Sequence, residues 1–154
     1  MSVDSILDEF LATVRNSTLI QQPLEWMRTA ALRAAKSGGV CHFLSLFDGE
    51  SGSINSVAKS FNLKGLPPAD LRGECPIDLQ DPIHLAIVGC AIHAYQPGIV
   101  ILSPYCRAWC KTTDFAAKSS KHMARLIQER AVQTKLMSNG IKLIQIIVAY
   151  GGHI

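Results

Sequence analysis

The sequence predicts an α/β fold: a three-layer sandwich with a mostly parallel sheet of about five strands and helices on both faces. Three observations predict it. Short apolar runs, such as Val40–Phe47 and Ile99–Ser103, alternate with segments of helical spacing. Within those runs the apolar residues are nearly continuous, as a parallel strand covered on both faces requires. Turn residues cluster between the segments at Asp48–Ser53, Pro97-Gly98 and Asn139-Gly140.

Each element has a local reason. Residues 4–15 read as an amphipathic helix, capped by Asp4 or Ser5, with Ile6, Leu7, Phe10, Leu11 and Val14 on one stripe. A second helix starts at Pro23, a residue favoured at the first helical position, and ends before Gly38-Gly39. Val40–Phe47 is the first strand, Asp48–Ser53 a turn and Ile54–Asn62 a helix. Leu63–Leu71 reads as a second strand, weakened by Pro67 and Pro68, and Gly73–Pro82 as irregular with a short strand at Ile77–Leu79. Ile83–Tyr95 is a helix ended by Pro97-Gly98, and Ile99–Ser103 a short strand. Asp114–Ser138 reads as a long helix closed by Asn139-Gly140, and Ile141–Tyr150 as a final apolar strand. Residues 1–36 are then a helical segment packed on the sheet of residues 37–154, within one domain. Strands crossing over through helices make the expected sheet Rossmann-like.

Bulk properties agree with one packed domain. The chain has 154 residues, 48% of them hydrophobic and 18% charged. Five cysteines in no framework spacing, and a start carrying Asp4, Asp8 and Glu9, point to a reducing compartment, cytoplasmic or nuclear. The most apolar stretch, Ile83–Leu102, is broken by His84, His93, Gln96, Pro97 and Gly98, so no membrane partner is expected. Charge is uneven. Between Arg107 and Lys135, seven Lys/Arg face two acids, a net of +5, while the whole chain carries +3. Such a basic segment favours a polyanionic partner.

The informative constellation is a strand, then Phe47-Asp48-Gly49-Glu50-Ser51-Gly52-Ser53, then a helix. One glycine allows a tight turn, a second lets a ligand approach the backbone, and the helix start offers N–H groups and a positive dipole end. Glu50 repels phosphate, and no Gly-Lys-Ser/Thr follows, which favours a nucleoside or zwitterionic ligand. The plain alternative is a β–α turn that uses glycine for geometry alone.

The order of these motifs resembles the catalytic domain of S-adenosylmethionine-dependent methyltransferases, most of all the DNA cytosine-5 group. Phe47 to Gly52 is similar to that group's Phe-x-Gly-x-Gly-Gly. The resemblance implies cofactor contacts from Phe47, Asp48, Gly49 and Gly52, from Asp70 to the ribose, and from Asp78 near the adenine. Ser103-Pro104-Tyr105-Cys106 stands where the group has Pro-Pro-Cys, which implies Ser103 and Pro104 at the cofactor and Cys106 as the nucleophile toward carbon 6 of cytosine. The chain departs from the pattern in two places. Tyr105 replaces the second proline, and Val148-Ala149-Tyr150-Gly151 has no counterpart of the group's Glu-Asn pair. The group's last strands and target-recognition region are also unmatched. The resemblance therefore implies a fragment, a shortened relative, or a subunit whose sheet a partner chain or a second copy completes.

The plain reading of Cys106 is an ordinary, partly buried cysteine. Cys106 and Cys110, with Cys90 and His93, lack the tight paired spacing of structural zinc, so no metal is expected. A zinc deaminase is excluded because Ala94 and Tyr95 follow His93 and the cysteine spacing is too long. Trp109 is a loop anchor or a base-stacking residue. Lys118, Lys121 and Arg125 share a helix face just after the Cys106 loop and, with Arg107, are the candidate nucleic-acid contacts. The expectation is thus a methyltransferase-like domain acting on nucleic acid. The alternative is a non-catalytic interaction module or an assembly subunit.

Overall fold

A computed structural model describes residues 2–18, 21–47, 53–72, 75–103, 109 and 119–154. Among these lie five helices, α1 (Val3–Arg15), α2 (Gln21–Lys36), α3 (Ser53–Ser60), α4 (Pro82–Tyr95) and α5 (Ser120–Ala149), and two strands, β1 (Phe43–Leu46) and β2 (Ile99–Leu102).

The five-stranded three-layer sandwich is therefore corrected. Among the described residues the sheet has two four-residue strands, paired in parallel with Phe43 opposite Ile99 and Leu46 opposite Leu102. Two physical reasons account for the shortfall. The expected strand at Leu63–Leu71 is reduced to isolated parallel bridges, Gly65 to Phe43 and Ala69 to Leu46. Pro67 and Pro68 lie between those bridges and have no N–H to continue a ladder. The other reason is that Ile141–Tyr150 is not a strand: α5 runs through it to Ala149. Its buried residues, Gly140, Leu143, Ile146 and Ile147, recur at three and four. Ile141 and Val148, seven apart, are exposed. That is a helical stripe, not an alternation of faces. Ile77–Leu79 is not a strand either; Ile77 N–H donates to Asp70 O at 3.0 Å.

Asn139-Gly140 does not stop the helix. Asn139 Nδ2 donates to Leu79 O at 2.7 Å, which anchors α5 to the loop before α4. The expected helix start at Asp114 lies outside the described residues; α5 opens at Ser120, where the Ser119 hydroxyl accepts from His122 N–H.

Other boundaries follow local chemistry. Ser2 caps α1 by accepting from Ser5 N–H at 3.2 Å, in place of Asp4 or Ser5. α2 begins two residues before Pro23, still within the first turn, where a missing N–H costs nothing. It ends at Gly38 and Gly39, with φ of 66° and 82°, and Gly39 N–H closes on Ala34 O at 2.9 Å. Asp81 caps α4 through Ile83 N–H at 2.7 Å, and Pro82 takes the first helical position.

The core lies on one face of the sheet. Leu44, Leu46 and Val100 are buried with Ile6 and Phe10 of α1, Trp26 of α2, Leu85 to Val88 of α4, and Leu143, Ile146 and Ile147 of α5. Ser45 points to the other face, as alternation along a strand requires, and meets Asn55 of α3. Trp26 Nε1 donates to Pro67 O and Pro68 O at 3.2 and 3.1 Å, so α2 also covers the proline segment. Among the described residues no helix is long and apolar enough to cross a membrane.

Candidate binding edge at the strand termini

β1 and β2 end side by side, and the chain later returns along opposite edges of the pair. After β1 it reaches Gly65–Ala69, which bridges the edge of β1 away from β2. After β2 it returns at His153, which bridges the edge of β2 away from β1; Val100 N–H donates to His153 O at 2.8 Å. In open parallel sheets, ligands bind beyond the carboxyl ends of adjacent strands whose connections diverge, and that position is the candidate site here.

Three of the residues expected at a site converge there. Ser103 N–H donates to Leu46 O at 3.1 Å, and Phe47 N–H donates to Ala69 O at 3.1 Å, which puts Ser103, Phe47 and Asp70 at one end of the sheet. Phe47 has φ of 64°, a left-handed conformation that is unusual for an aromatic residue and that turns the chain sharply off β1. Asp78 follows through the bond between Ile77 N–H and Asp70 O. Asp48, Gly49, Gly52, Pro104, Cys106, Arg107 and Lys118 lie outside the described residues.

Both carboxylates hold turns. Asp70 Oδ1 accepts from Arg72 N–H at 2.7 Å and Asp78 Oδ1 from Gln80 N–H at 2.9 Å. Each bond links residues two apart, the pattern of an Asx turn. The arrangement fixes the backbone near the strand ends and commits one oxygen of each acid to that task.

A pair that the motif reading missed braces the same edge. Asn55 Nδ2 donates to the Ser45 hydroxyl at 2.8 Å, with both residues buried. Ser45 precedes the end of β1 and Asn55 lies in the first turn of α3, so the bond fixes the helix start against the strand it follows. A signal was present: Ser45 is a hydroxyl inside an otherwise apolar run.

The basic helix is only partly available. Lys121 is exposed. Arg125 is exposed and pairs with Glu129 at 3.1 Å, four residues on, a contact that adds little stability but halves the local charge. Arg130 stacks 5.2 Å from the centre of the Trp109 ring, so one face of that indole is already occupied.

The three described thiols, Cys41, Cys75 and Cys90, are unpaired and half-buried. Burial pushes the Cys41 and Cys90 thiols up, away from reactive thiolates. Among the described residues no three His, Cys, Asp or Glu gather as metal ligands. A small open cleft of about 120 Å³ lies between α1, α4 and α5, lined by Glu9, Thr13, Gln80, Lys135, Asn139 and Lys142 among others. It contains none of the expected site residues. Its Lys142 is held by Glu9 at 2.7 Å.

The chain matches no protein-family model, no curated protein and no solved structure.

Proposed function

We propose that this chain is a small-ligand-binding α/β module whose site lies beyond the carboxyl ends of β1 and β2. S-adenosylmethionine is the ligand to which the sequence motifs point, and nucleic acid would approach over Lys121 and Arg125. The observation that carries the reading is the meeting of Phe47, Asp70 and Ser103 where two parallel strands end and their connections diverge. The reading does not require a five-stranded sheet. It requires only two adjacent parallel strand ends and the helix start that follows one of them.

Calorimetry with S-adenosylmethionine tests it. Heat of binding is expected from the intact protein and is expected to vanish in Ser103→Trp, which places a bulky ring at an exposed position at the strand ends. Absence of heat from the folded wild-type chain overturns the cofactor assignment.

A non-catalytic interaction module is the second reading. It is favoured by the commitment of Asp70 and Asp78 to turns and by the lack of an acid at Val148–Gly151. A duplex DNA titration against salt separates it from simple surface charge: the salt slope should fall when Lys121 is replaced by Ala.

A further inference from the structure

The two flanks of α5 differ. One packs into the core through Gly140, Leu143, Ile146 and Ile147. Another carries large apolar side chains into solvent: Met123 is 40% exposed, Ile127 60%, Met137 50%, Ile141 53% and Val148 61%. Their spacing is regular. Ile127, Thr134, Ile141 and Val148 recur every seven residues, and Met123, Arg130, Met137 and Ile144 interleave at offsets of three and four. This is the seam of a coiled coil, and from Met123 to Val148 it extends about 40 Å along the helix.

A row of lysines runs beside it. Lys121, Lys135 and Lys142 share one heptad position; Lys121 and Lys135 are exposed, and Lys142 is held by Glu9. Between that row and the seam lie only Ala124, Ala131, Ser138 and Gln145, three of them too short to keep a partner away. Within α5, five Lys/Arg stand against the single acid Glu129.

We propose that this face docks an acidic amphipathic helix of a partner protein, whose apolar residues fill the seam and whose carboxylates meet Lys121 and Lys135. Charge selects this occupant over a second copy, because two α5 helices would oppose like-charged rows. The seam positions themselves carry no aromatic residue, although the Trp109 ring stacks on Arg130 among them, and the seam is one heptad stripe wide, unlike the broad face of a helix that lies in a lipid surface. Arg130, stacked on Trp109, and Thr134 are the polar positions at mid-seam, and a polar layer of this kind fixes the register of an incoming helix.

The test uses the intact chain and a synthetic peptide of about four heptads, with leucine at the seam positions and glutamate flanking them. Binding is followed by fluorescence anisotropy. The acidic peptide is expected to bind, to weaken as salt is raised, and to outbind a lysine-flanked version by about tenfold or more. The double variant Ile127→Ser/Ile141→Ser is expected to keep the wild-type melting temperature and to lose about tenfold in affinity. Equal binding of both peptides, or unchanged binding by the double variant, overturns the proposal. So does a large drop in melting temperature, which would mean the face is already covered. Sedimentation as a dimer that the double variant abolishes assigns the face to a second copy, and flotation with anionic phosphatidylserine vesicles assigns it to lipid.

Discussion

Among the described residues two glycines sit inside helices, Gly89 in α4 and Gly140 in α5, and their surroundings are opposite. A Cβ on Gly89 would enter the ring of Phe10 and lie 3.4 Å from Leu143 Cδ2. A Cβ on Gly140 would meet only Leu102 Cδ2, at 3.9 Å. α4 is enclosed: Leu85 to Gly89 form an unbroken buried run, and α1, α2 and α5 all pack on it. α5 is supported on one flank and open along much of the rest. The same residue is therefore a packing requirement in one helix and idle in the other. One helix is the centre of the fold, and the other is a surface that the fold holds out.

The largest effect expected from this contrast is at Gly89. Gly89→Ala adds one methyl where the Phe10 ring, itself only 2% exposed, has little room to retreat. A loss of about 1–3 kcal/mol is expected, as for overpacking in other cores. Urea unfolding measures it. An unchanged midpoint would mean that α1 can shift against α4, and that the enclosure of α4 is looser than its burial implies.

Tyr150 joins the ends of the two helices and gives a smaller, pH-dependent effect. It caps α5, and its hydroxyl donates to Pro97 O, just beyond α4, at 2.9 Å. Burial first, and then the nearby Cys41, push its pKa up to about 12. The sign follows from linkage. A folded-state pKa raised above the unfolded value of about 10 gives stability that is complete below pH ~10 and is lost as pH rises through the folded value. Tyr150→Phe is expected to lose about 1 kcal/mol at neutral pH, the net worth of one hydrogen bond. It is also expected to show a flatter decline in the alkaline range than the wild type. Cys41 titrates beside it and interacts with it electrostatically, so the difference between the two curves reports the tyrosine together with its influence on Cys41. Parallel curves would mean that Tyr150 is solvated in the folded chain.

How far these features were legible in the sequence depended on whether local chemistry or tertiary packing decided them. The stop of α2 at Gly38-Gly39 was legible, because left-handed glycine acts within a few residues; the start of α4 falls one residue before the expected Ile83, at Pro82 behind an Asp81 cap that the sequence reading lacks. The last apolar run misled for a reason visible in the structure. Ile141–Tyr150 is rich in β-branched residues and follows Asn139-Gly140, yet Gly140 is in helical conformation and Asn139 bonds across to Leu79. The spacing of Gly140, Leu143 and Ile147 already carried the helical period, but composition outweighed it. At the strand ends, the strand–turn–helix order singles out Phe47, and the motif resemblance singles out Ser103; the structure sets both at the same end of the sheet. The Ser45–Asn55 brace joins a strand to a helix ten residues on, and no motif of consecutive residues contains it.

The smallest effect returns to the open helix. Gly140→Ala removes the backbone freedom that glycine lends the unfolded chain, and its new methyl rests at ordinary contact distance from Leu102. Gly140 is itself buried, so the methyl also adds apolar contact without displacing a neighbour. A gain of about 0.5–1 kcal/mol is expected, opposite in sign to Gly89→Ala. By the usual scaling this raises the melting temperature by about 1–4 °C. Differential scanning calorimetry reads it. A loss of stability would show that α5 approaches β2 more closely than the present geometry allows. The contrast between the enclosed and the open helix would then have to be drawn further along α5, in the stretch before residue 140 where the apolar seam faces solvent.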